Sequence, residues 1–456
     1  MQTLQLKIRM RNIRAISDAE IKLDGITVIA GENGCGKSTI SKLFYTLIKT
    51  IVEYDEIVDI KLNNRLNLVF RDIRNISRDI FYLIEREEEQ KQLRNYIQKI
   101  SFEKITSNDN PNHLLLLIDY LIKITDKIDT SNTNHKSEII LNRINHVLNN
   151  LVVDDETPSI IKKNDDLKKK PINELFQKLK QSVEKLIEEA YKQKEERPLN
   201  ILKNNVDRYF YDTSIELKNY DIYESDVPLI DRENRRILNL NSIKHVFYID
   251  TPMIFGLDLD FLEERPHWAD LNTKLTQDKH SIKRKKDGID KILEDDILSG
   301  DILVEKDFFD NRILYKRKDK KVFELLECAT GLKSFAILRL LYKNNYLNNH
   351  SLIIIDEPEA HLHPQWVVEY ARMVVLLNKH LKVKFLIASH HPDMISAIKY
   401  ISEKEGNSKN LRYYLAEKSK ENEYLYKYID LNTNIEKIFE SFNVALERID
   451  LYGKTE

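Results

Sequence analysis

The stretch Ile26-Thr-Val-Ile-Ala-Gly31-Glu-Asn-Gly34-Cys-Gly36-Lys37-Ser38-Thr39 decides how this chain is read. Glycine is scarce here, with 10 in 456 residues, against a usual share of ~7%. A chain so sparing of glycine sets three of them within six residues only where a Cβ would obstruct something. The all-apolar run Ile26–Ala30 suits a strand covered on both faces. After the glycines, Ile40, Leu43, Phe44, Leu47, Ile48, Ile51 and Val52 recur at helical spacing. Between a buried strand and an amphipathic helix, G-x-x-x-x-G-K-S reads as a loop whose backbone amides cradle phosphates. Gly31, Glu32, Asn33, Gly34, Cys35, Gly36, Lys37, Ser38 and Thr39 are therefore expected to bind ATP. Lys37 reaches the β/γ oxygens, and Ser38 ligates Mg²⁺.

Two later segments fit the same chemistry. Leu352-Ile-Ile-Ile-Asp356-Glu357-Pro358 is an apolar strand delivering adjacent carboxylates to its carboxyl end, the end at which ligands sit in such sheets. Asp356 is expected in the Mg²⁺ shell, and Glu357 polarises the attacking water as a base or as its orienter. Phe385-Leu-Ile-Ala-Ser389-His390-His391-Pro392 then ends a further strand in a histidine. His390 is placed to sense the γ-phosphate, with His391 as an exposed neighbour.

Outward from these motifs, the start of the chain alternates: Leu4, Leu6, Ile8 and Met10 point one way, as in a half-buried strand. A second alternation ends at Asp24-Gly25. From 53 to 241 the chain lacks glycine and shows mostly helical periodicity. One face is Ile172, Leu175, Phe176, Leu179, Val183, Leu186, Ile187 and Ala190, with Pro171 at the helix start. The polar stretches from Asp129 and Asp154 read as loops. Strand signals return at His245–Asp250, around 312–323, and at 352–355 and 384–389; 411–415 and 424–429 read as a hairpin. The expected organisation is a head in two parts, 1–52 and 242–456, interrupted by a helical insertion, 53–241.

Composition narrows the alternatives. A net charge of -2 is not that of a protein coating nucleic acid by charge alone. The two cysteines, Cys35 and Cys328, lack CxxC spacing, which argues against a zinc ribbon or disulfide framework and fits a reducing cytosol. The most apolar run, 113–118, is far shorter than the ~20 residues that span a bilayer. A soluble cytoplasmic protein with no membrane partner is expected.

GENGCGKST, IIIDEPEAHLHP and ASHHP together resemble the ABC-type ATPase heads of the RecF, SMC and OLD group. Within it the chain is similar to compact ATPases of prokaryotic anti-phage defence, such as the PtuA component of Septu and retron systems. The resemblance covers roughly 1–52 and 242–430. It implies an α/β fold, an ABC-type P-loop head carrying a large, mainly helical insertion, and a homodimer or higher homo-oligomer in which two heads sandwich ATP. The segment matching the family's signature loop is Cys328–Ser334. Ala329 stands at the serine position there, so Thr330 and Gly331 are the expected contacts to the partner's γ-phosphate. No glutamine follows the middle strand; Asp250 or Thr251 is the candidate substitute.

The resemblance also implies a separate effector, a nuclease or toxin with an HNH-type nuclease favoured, since no nuclease site follows His390. A RecF-like ATPase acting directly on DNA and an ATP-binding scaffold with little turnover are the other readings. Nucleic-acid contact would fall on the basic clusters Lys283–Lys286 and Tyr315–Lys321. His361 and His363 could form a metal pair, but the resemblance puts them in the loop after the carboxylates, across the dimer seam.

Overall fold

The computed structural model describes residues 5–82, 84, 86–102, 110–126, 135–152, 171–211, 215–255, 266–276, 288–306, 311–360 and 362–440. The chain splits into two compact units. One comprises Met1–Val52 with Pro198–Glu456, and the other is Glu53–Arg197.

The first unit is built on a ten-stranded mixed sheet, an α/β head. Its strands are β1 (Leu6–Ile13), β2 (Ile16–Leu23), β3 (Ile26–Ala30), β4 (Tyr220–Glu224), β5 (Val227–Pro228), β8 (His245–Ile249), β12 (Ser351–Asp356), β13 (Lys384–Ser389), β14 (Leu411–Lys418) and β15 (Tyr426–Asn432). They lie in the order β5-β4-β1-β2-β15-β14-β3-β13-β12-β8. From β14 to β8 every neighbouring pair is parallel. Strands covered on both faces carry apolar runs, and the inner strands do so: every residue of β3 (ITVIA) and of β12 (SLIIID) is buried. On the other side, β1 pairs antiparallel with β2 and with β4. The expected hairpin is β14–β15, also antiparallel.

The register matters for function. Ala30 pairs with Ser389, Ala388 with Asp356, and Ile355 with Ile249. The carboxyl ends of β3, β13, β12 and β8 are therefore level. The residues that follow them, Gly31, His390, Glu357 and Asp250, leave the sheet along one edge.

The helices of this unit are α1 (Lys37–Val52), α7 (Leu199–Phe210), α8 (Pro266–Thr276), α9 (Gly288–Lys291), α10 (Thr330–Lys343), α11 (Pro364–Leu381) and α12 (Pro392–Lys404). The segment of 312–323 read as strand belongs to a separate three-stranded sheet, β9 (Gly300–Lys306), β10 (Asn311–Arg317) and β11 (Val322–Glu324). A short pair, β6 (Ile230–Asp231) and β7 (Arg236–Ile237), forms a two-stranded sheet of its own. Arg339 of α10, its side chain 1% exposed, ties these parts together. Its guanidinium donates to Asp290 at 2.6 Å, Glu294 at 2.6 Å and Asp301 at 3.1 Å, and Lys343 joins Asp301 at 2.7 Å. Burial pushes the Asp301 carboxyl up, but Lys343 and Arg339 more than reverse that and leave it below the ordinary carboxylate range.

The second unit is helical: α2 (Tyr54–Phe81), α3 (Glu87–Phe102), α4 (Asn110–Thr125), α5 (His135–Val152) and α6 (Ile172–Glu196). Of the face expected on α6, Ile172, Leu175, Phe176, Leu179, Val183 and Ala190 are buried and Leu186 and Ile187 only partly so, with Pro171 at the N-cap. The helix packs on α2, α4 and α5. His135 begins a helix inside the stretch read as a loop from Asp129; the rest of that stretch up to 134, and the loop at 154–159, lie outside the described residues.

The helical unit ends earlier than the periodicity suggests. Arg197 adopts a left-handed conformation at the C-cap of α6 and Pro198 follows it, a combination that stops a helix. The Arg197 guanidinium lies 4.5 Å from the Tyr54 ring centroid and 3.2 Å from Asp55, joining the two chain ends of the unit. Residues 198–241, read from sequence with the insertion, fold instead with the head: α7 packs on α1, and β4 extends the sheet beside β1.

Candidate nucleotide site

The glycine loop bridges β3 and α1. Gly34 and Gly36 have φ of +81° and +99°, a region costly for residues with a Cβ. At Gly36 a Cβ would also lie 2.8 Å from Ile16 Cγ1. The first helical bond of α1 runs from Ile40 N to the Gly36 carbonyl at 3.1 Å. The amides of Lys37, Ser38 and Thr39 thus precede the hydrogen-bonded ladder, where a helix N-terminus attracts anions. Lys37 is buried, and its Nζ donates to the carbonyls of Gly31 and Glu32, both at 2.9 Å. Glu32, Asn33 and Gly34 form the exposed tip, and Ser38 is exposed while Thr39 is buried. Cys35 points inward. It is fully buried, its carbonyl accepts from the Tyr428 hydroxyl at 3.0 Å, and its Sγ lies 3.6 Å from the same oxygen. Cys35 anchors the loop from beneath.

Asp356 ends β12 beside this loop. Its Oδ2 accepts a hydrogen bond from the Tyr248 hydroxyl at 2.8 Å, whereas Oδ1 is buried without a partner. Burial holds the carboxyl above its ordinary range, and the nearby hydroxyls of Ser41, Tyr248 and Ser38, of which Tyr248 alone is hydrogen-bonded to it, offset that only in part. A buried orphan oxygen costs about 1–3 kcal/mol. Together with the Ser38 hydroxyl it is a donor set suited to a hard cation such as Mg²⁺, which takes oxygen ligands.

Glu357 follows with φ +47°, a strained conformation of the kind that collects at functional sites and costs of order 1–3 kcal/mol. Its amide donates to the Ala388 carbonyl at 2.8 Å. His390 Nδ1 lies 3.5 Å from Glu357 Oε1 and 3.5 Å from Glu359 Oε1. His391 takes a different role, accepting from the Asp393 amide at 3.3 Å as the N-cap of α12.

The structure thus brings together the Gly31–Thr39 loop, Asp356, Glu357 and His390. Thr330 and Gly331 are the first two residues of α10. Ala329 is the N-cap there, with no side-chain hydrogen bond, and Lys333 folds back to the Leu326 carbonyl at 2.8 Å. Neither candidate for the missing glutamine is free. Asp250 accepts from Trp268 Nε1 at 2.7 Å and from His267 Nε2 at 3.1 Å, and Thr251 caps its own turn at Met253. Burial raises the Asp250 carboxyl, but the bonds from His267 and Trp268 bring it below its usual range.

Two site residues were missed from sequence. Glu359, its side chain 3% exposed, accepts from the Ser389 hydroxyl at 2.8 Å and the His390 amide at 3.1 Å, fixing the exit of β13. Tyr248 is buried under Asp356, and burial drives its hydroxyl well above the ordinary phenol range. The sequence offered only that Glu359 shares the Asp356–Glu357 turn and that Tyr248 shares the exit of β8.

Of the weaker candidates, His361 and Lys283–Lys286 lie outside the described residues. His363 is the N-cap of α11, accepting from the Gln365 amide at 3.4 Å. In Tyr315–Lys321, Arg317 pairs with Asp319 at 2.5 Å and Lys318 with Asp295 at 3.3 Å. Among the described residues no helix is long and apolar enough to cross a membrane.

Residues 6–395 match the family model described as AAA ATPase domain. The solved structures to which the chain is similar include the Smc head domain with an extended coiled coil, bound to the C-terminal domain of ScpA, from Pyrococcus furiosus. That likeness has 12% identity over 97% of this chain and 98% of that one, with a TM-score of 0.31. The Smc head domain with a coiled coil and joint from Pyrococcus yayanosii gives 11% identity, 96% and 99% coverage, and 0.34. The SMC head domain from Thermotoga maritima gives 10% identity, 48% and 66% coverage, and 0.28. No curated protein matches the chain. The match to the family model covers most of the sequence: this chain belongs to the AAA ATPase domain family and is an ATP-binding ATPase.

Proposed function

We propose that this ATPase is an ABC-type switch, in which two copies close head to head on ATP and reopen after hydrolysis, and that the cycle controls a separate effector. The observation supporting it is the convergence of the phosphate loop, Asp356, Glu357 and His390 on one level edge of four parallel strands. The free amides of α1 and the Lys37 ammonium bind the phosphates. Ser38 and Asp356 Oδ1 hold Mg²⁺, which when bound offsets phosphate charge. Glu357 takes or orients the proton of the attacking water, and His390, beside it, faces the γ-phosphate. Thr330 and Gly331, at the start of α10, act on the partner's nucleotide.

Glu357→Gln tests the reading. Turnover should fall by roughly two or more orders of magnitude, the loss expected for a general base, with ATP affinity unchanged. Sedimentation of this variant with ATP should show a dimer absent without nucleotide. Undiminished turnover removes Glu357 from its role, and a wild-type protein that dimerises without turnover favours the scaffold reading. The effector, a nuclease or toxin of anti-phage defence with an HNH-type nuclease favoured, rests on the resemblance of the three motifs. Copurification with the product of a neighbouring gene tests it. Stimulation of the ATPase by duplex DNA would favour the RecF-like reading, although the pairing of Arg317 and Lys318 with acids reduces the charge available for phosphate contact.

A further inference from the structure

Tyr248 belongs to none of the motifs that point to ATP, yet its hydroxyl decides which oxygen of Asp356 is free. Oδ2 is occupied by Tyr248 at 2.8 Å, and Oδ1 is buried with no partner. A carboxylate held by one oxygen offers a single acceptor in a fixed direction; an untethered one rotates about its Cβ–Cγ bond. The direction matters because Mg²⁺ demands near-ideal octahedral geometry.

The tyrosine is itself immobilised. Its ring centroid lies 5.0 Å from the His267 ring and 5.7 Å from the Tyr45 ring. His267 is held from both sides, by Asp250 Oδ2 at 3.1 Å and by the Tyr209 hydroxyl at 2.9 Å, and Trp268 holds the other oxygen of Asp250 at 2.7 Å. Elements from four parts of the head, α1, α7, β8 and α8, thus converge behind one hydroxyl. Asp250, one of the two candidates for the missing glutamine, acts one layer back from the nucleotide.

We infer that Tyr248 is a positioning residue for the metal of bound nucleotide, pinning Asp356 through Oδ2 so that Oδ1 faces the cation, with the Asp250–His267 pair holding the tyrosine ring in place. The inference rests on Asp356 being the metal carboxylate of the proposed switch.

Tyr248→Phe keeps the ring and its packing and removes only the donor. The measurement is the affinity of the full-length protein for ATPγS, by calorimetry, in EDTA and across a Mn²⁺ titration, with bound Mn²⁺ followed by electron paramagnetic resonance. Affinity in EDTA should match wild type within about two-fold. The gain on adding Mn²⁺ should shrink 10–100-fold, the range for losing a group that orients a metal ligand. A lost fold would lower both affinities together; if Tyr248→Phe does not fold, Trp268→Phe, which loosens Asp250 but keeps the Tyr248 hydroxyl, should reduce the same gain while leaving EDTA affinity unchanged. A full Mn²⁺ gain in whichever variant folds overturns the inference. If wild type shows the gain, Asp356→Asn loses it and Tyr248→Phe keeps it, the inference fails and the metal role of Asp356 stands. If wild type shows no gain at all, both fail.

Discussion

At the carboxyl edge of the head sheet, Asp356 Oδ1, Glu359 Oε2, His390 Nδ1 and Ser41 Oγ are all buried without a hydrogen-bond partner. The helical unit also holds such atoms, Asn145 Oδ1 among them, but not grouped in this way; its charged groups meet mostly in partly exposed pairs: Lys194 with Asp59 at 2.5 Å, Lys180 with Asp119 at 2.8 Å and Arg143 with Asp79 at 2.5 Å. Its interior is apolar, with Leu62, Leu66, Leu121, Ile144, Phe176 and Leu179 among the buried side chains. The contrast is energetic. Unsatisfied polar atoms cost about 1–3 kcal/mol each, and four at one strand edge are tolerable where a ligand supplies the missing partners. Surface pairs are worth little, so the helical unit derives its stability from burial.

The largest effect that could break this contrast is at the loop. Lys37→Ala removes the ammonium that already points at the loop carbonyls from within. Loss of detectable ATP binding is expected in calorimetry, with the thermal unfolding of the nucleotide-free protein little changed. Retained binding would mean that the amides of α1 hold the phosphates without a side-chain charge.

A core substitution in the helical unit should do the reverse. Phe176 is fully buried on the face of α6 that meets α2, α4 and α5. Phe176→Ala should destabilise by about 3–5 kcal/mol, the range for deleting a buried aromatic ring. Denaturant unfolding reads that loss, and ATP affinity measured in the absence of denaturant should stay at the wild-type value. A fall in affinity would show that the helical unit contributes to the nucleotide site, which would blur the division between the two regions.

What could be read without coordinates follows from how local each signal is. The phosphate loop carries its meaning in nine consecutive residues between an all-apolar strand and a periodic helix, so the loop and the elements around it were legible. Asp356, Glu357 and His390 are strand-end residues, and unbroken apolar runs mark such strands. Tyr248 and Glu359 were not legible, because each acts through a contact set by the sheet: Tyr248 meets a residue 108 positions away, and Glu359 reaches Ser389 across 30. The end of the helical unit was hidden for a different reason. Residues 198–210 keep helical periodicity, and β4 has only five residues. Neither shows from sequence that it belongs beside α1 and β1. Asp250 was read as a stand-in for glutamine from its position, but Trp268 and His267 already occupy both its oxygens.

The smallest expected effect sharpens the comparison from the surface side. Lys194 joins Asp59 between α6 and α2 at 2.5 Å, with side chains 26% and 40% exposed. Short distance alone suggests strength, but solvent screens both charges, and holding a long lysine in one rotamer costs entropy. Lys194→Ala is therefore expected to lower stability by under about 1 kcal/mol, and that difference should shrink further when salt rises from low to molar concentration. The double change with Asp59→Ala separates the pair from the loss of the lysine stem, which also covers apolar surface. A coupling of several kcal/mol, insensitive to salt, would place this pair among the buried networks such as that of Arg339. The helical unit would then be held by polar contacts as well as by its apolar faces.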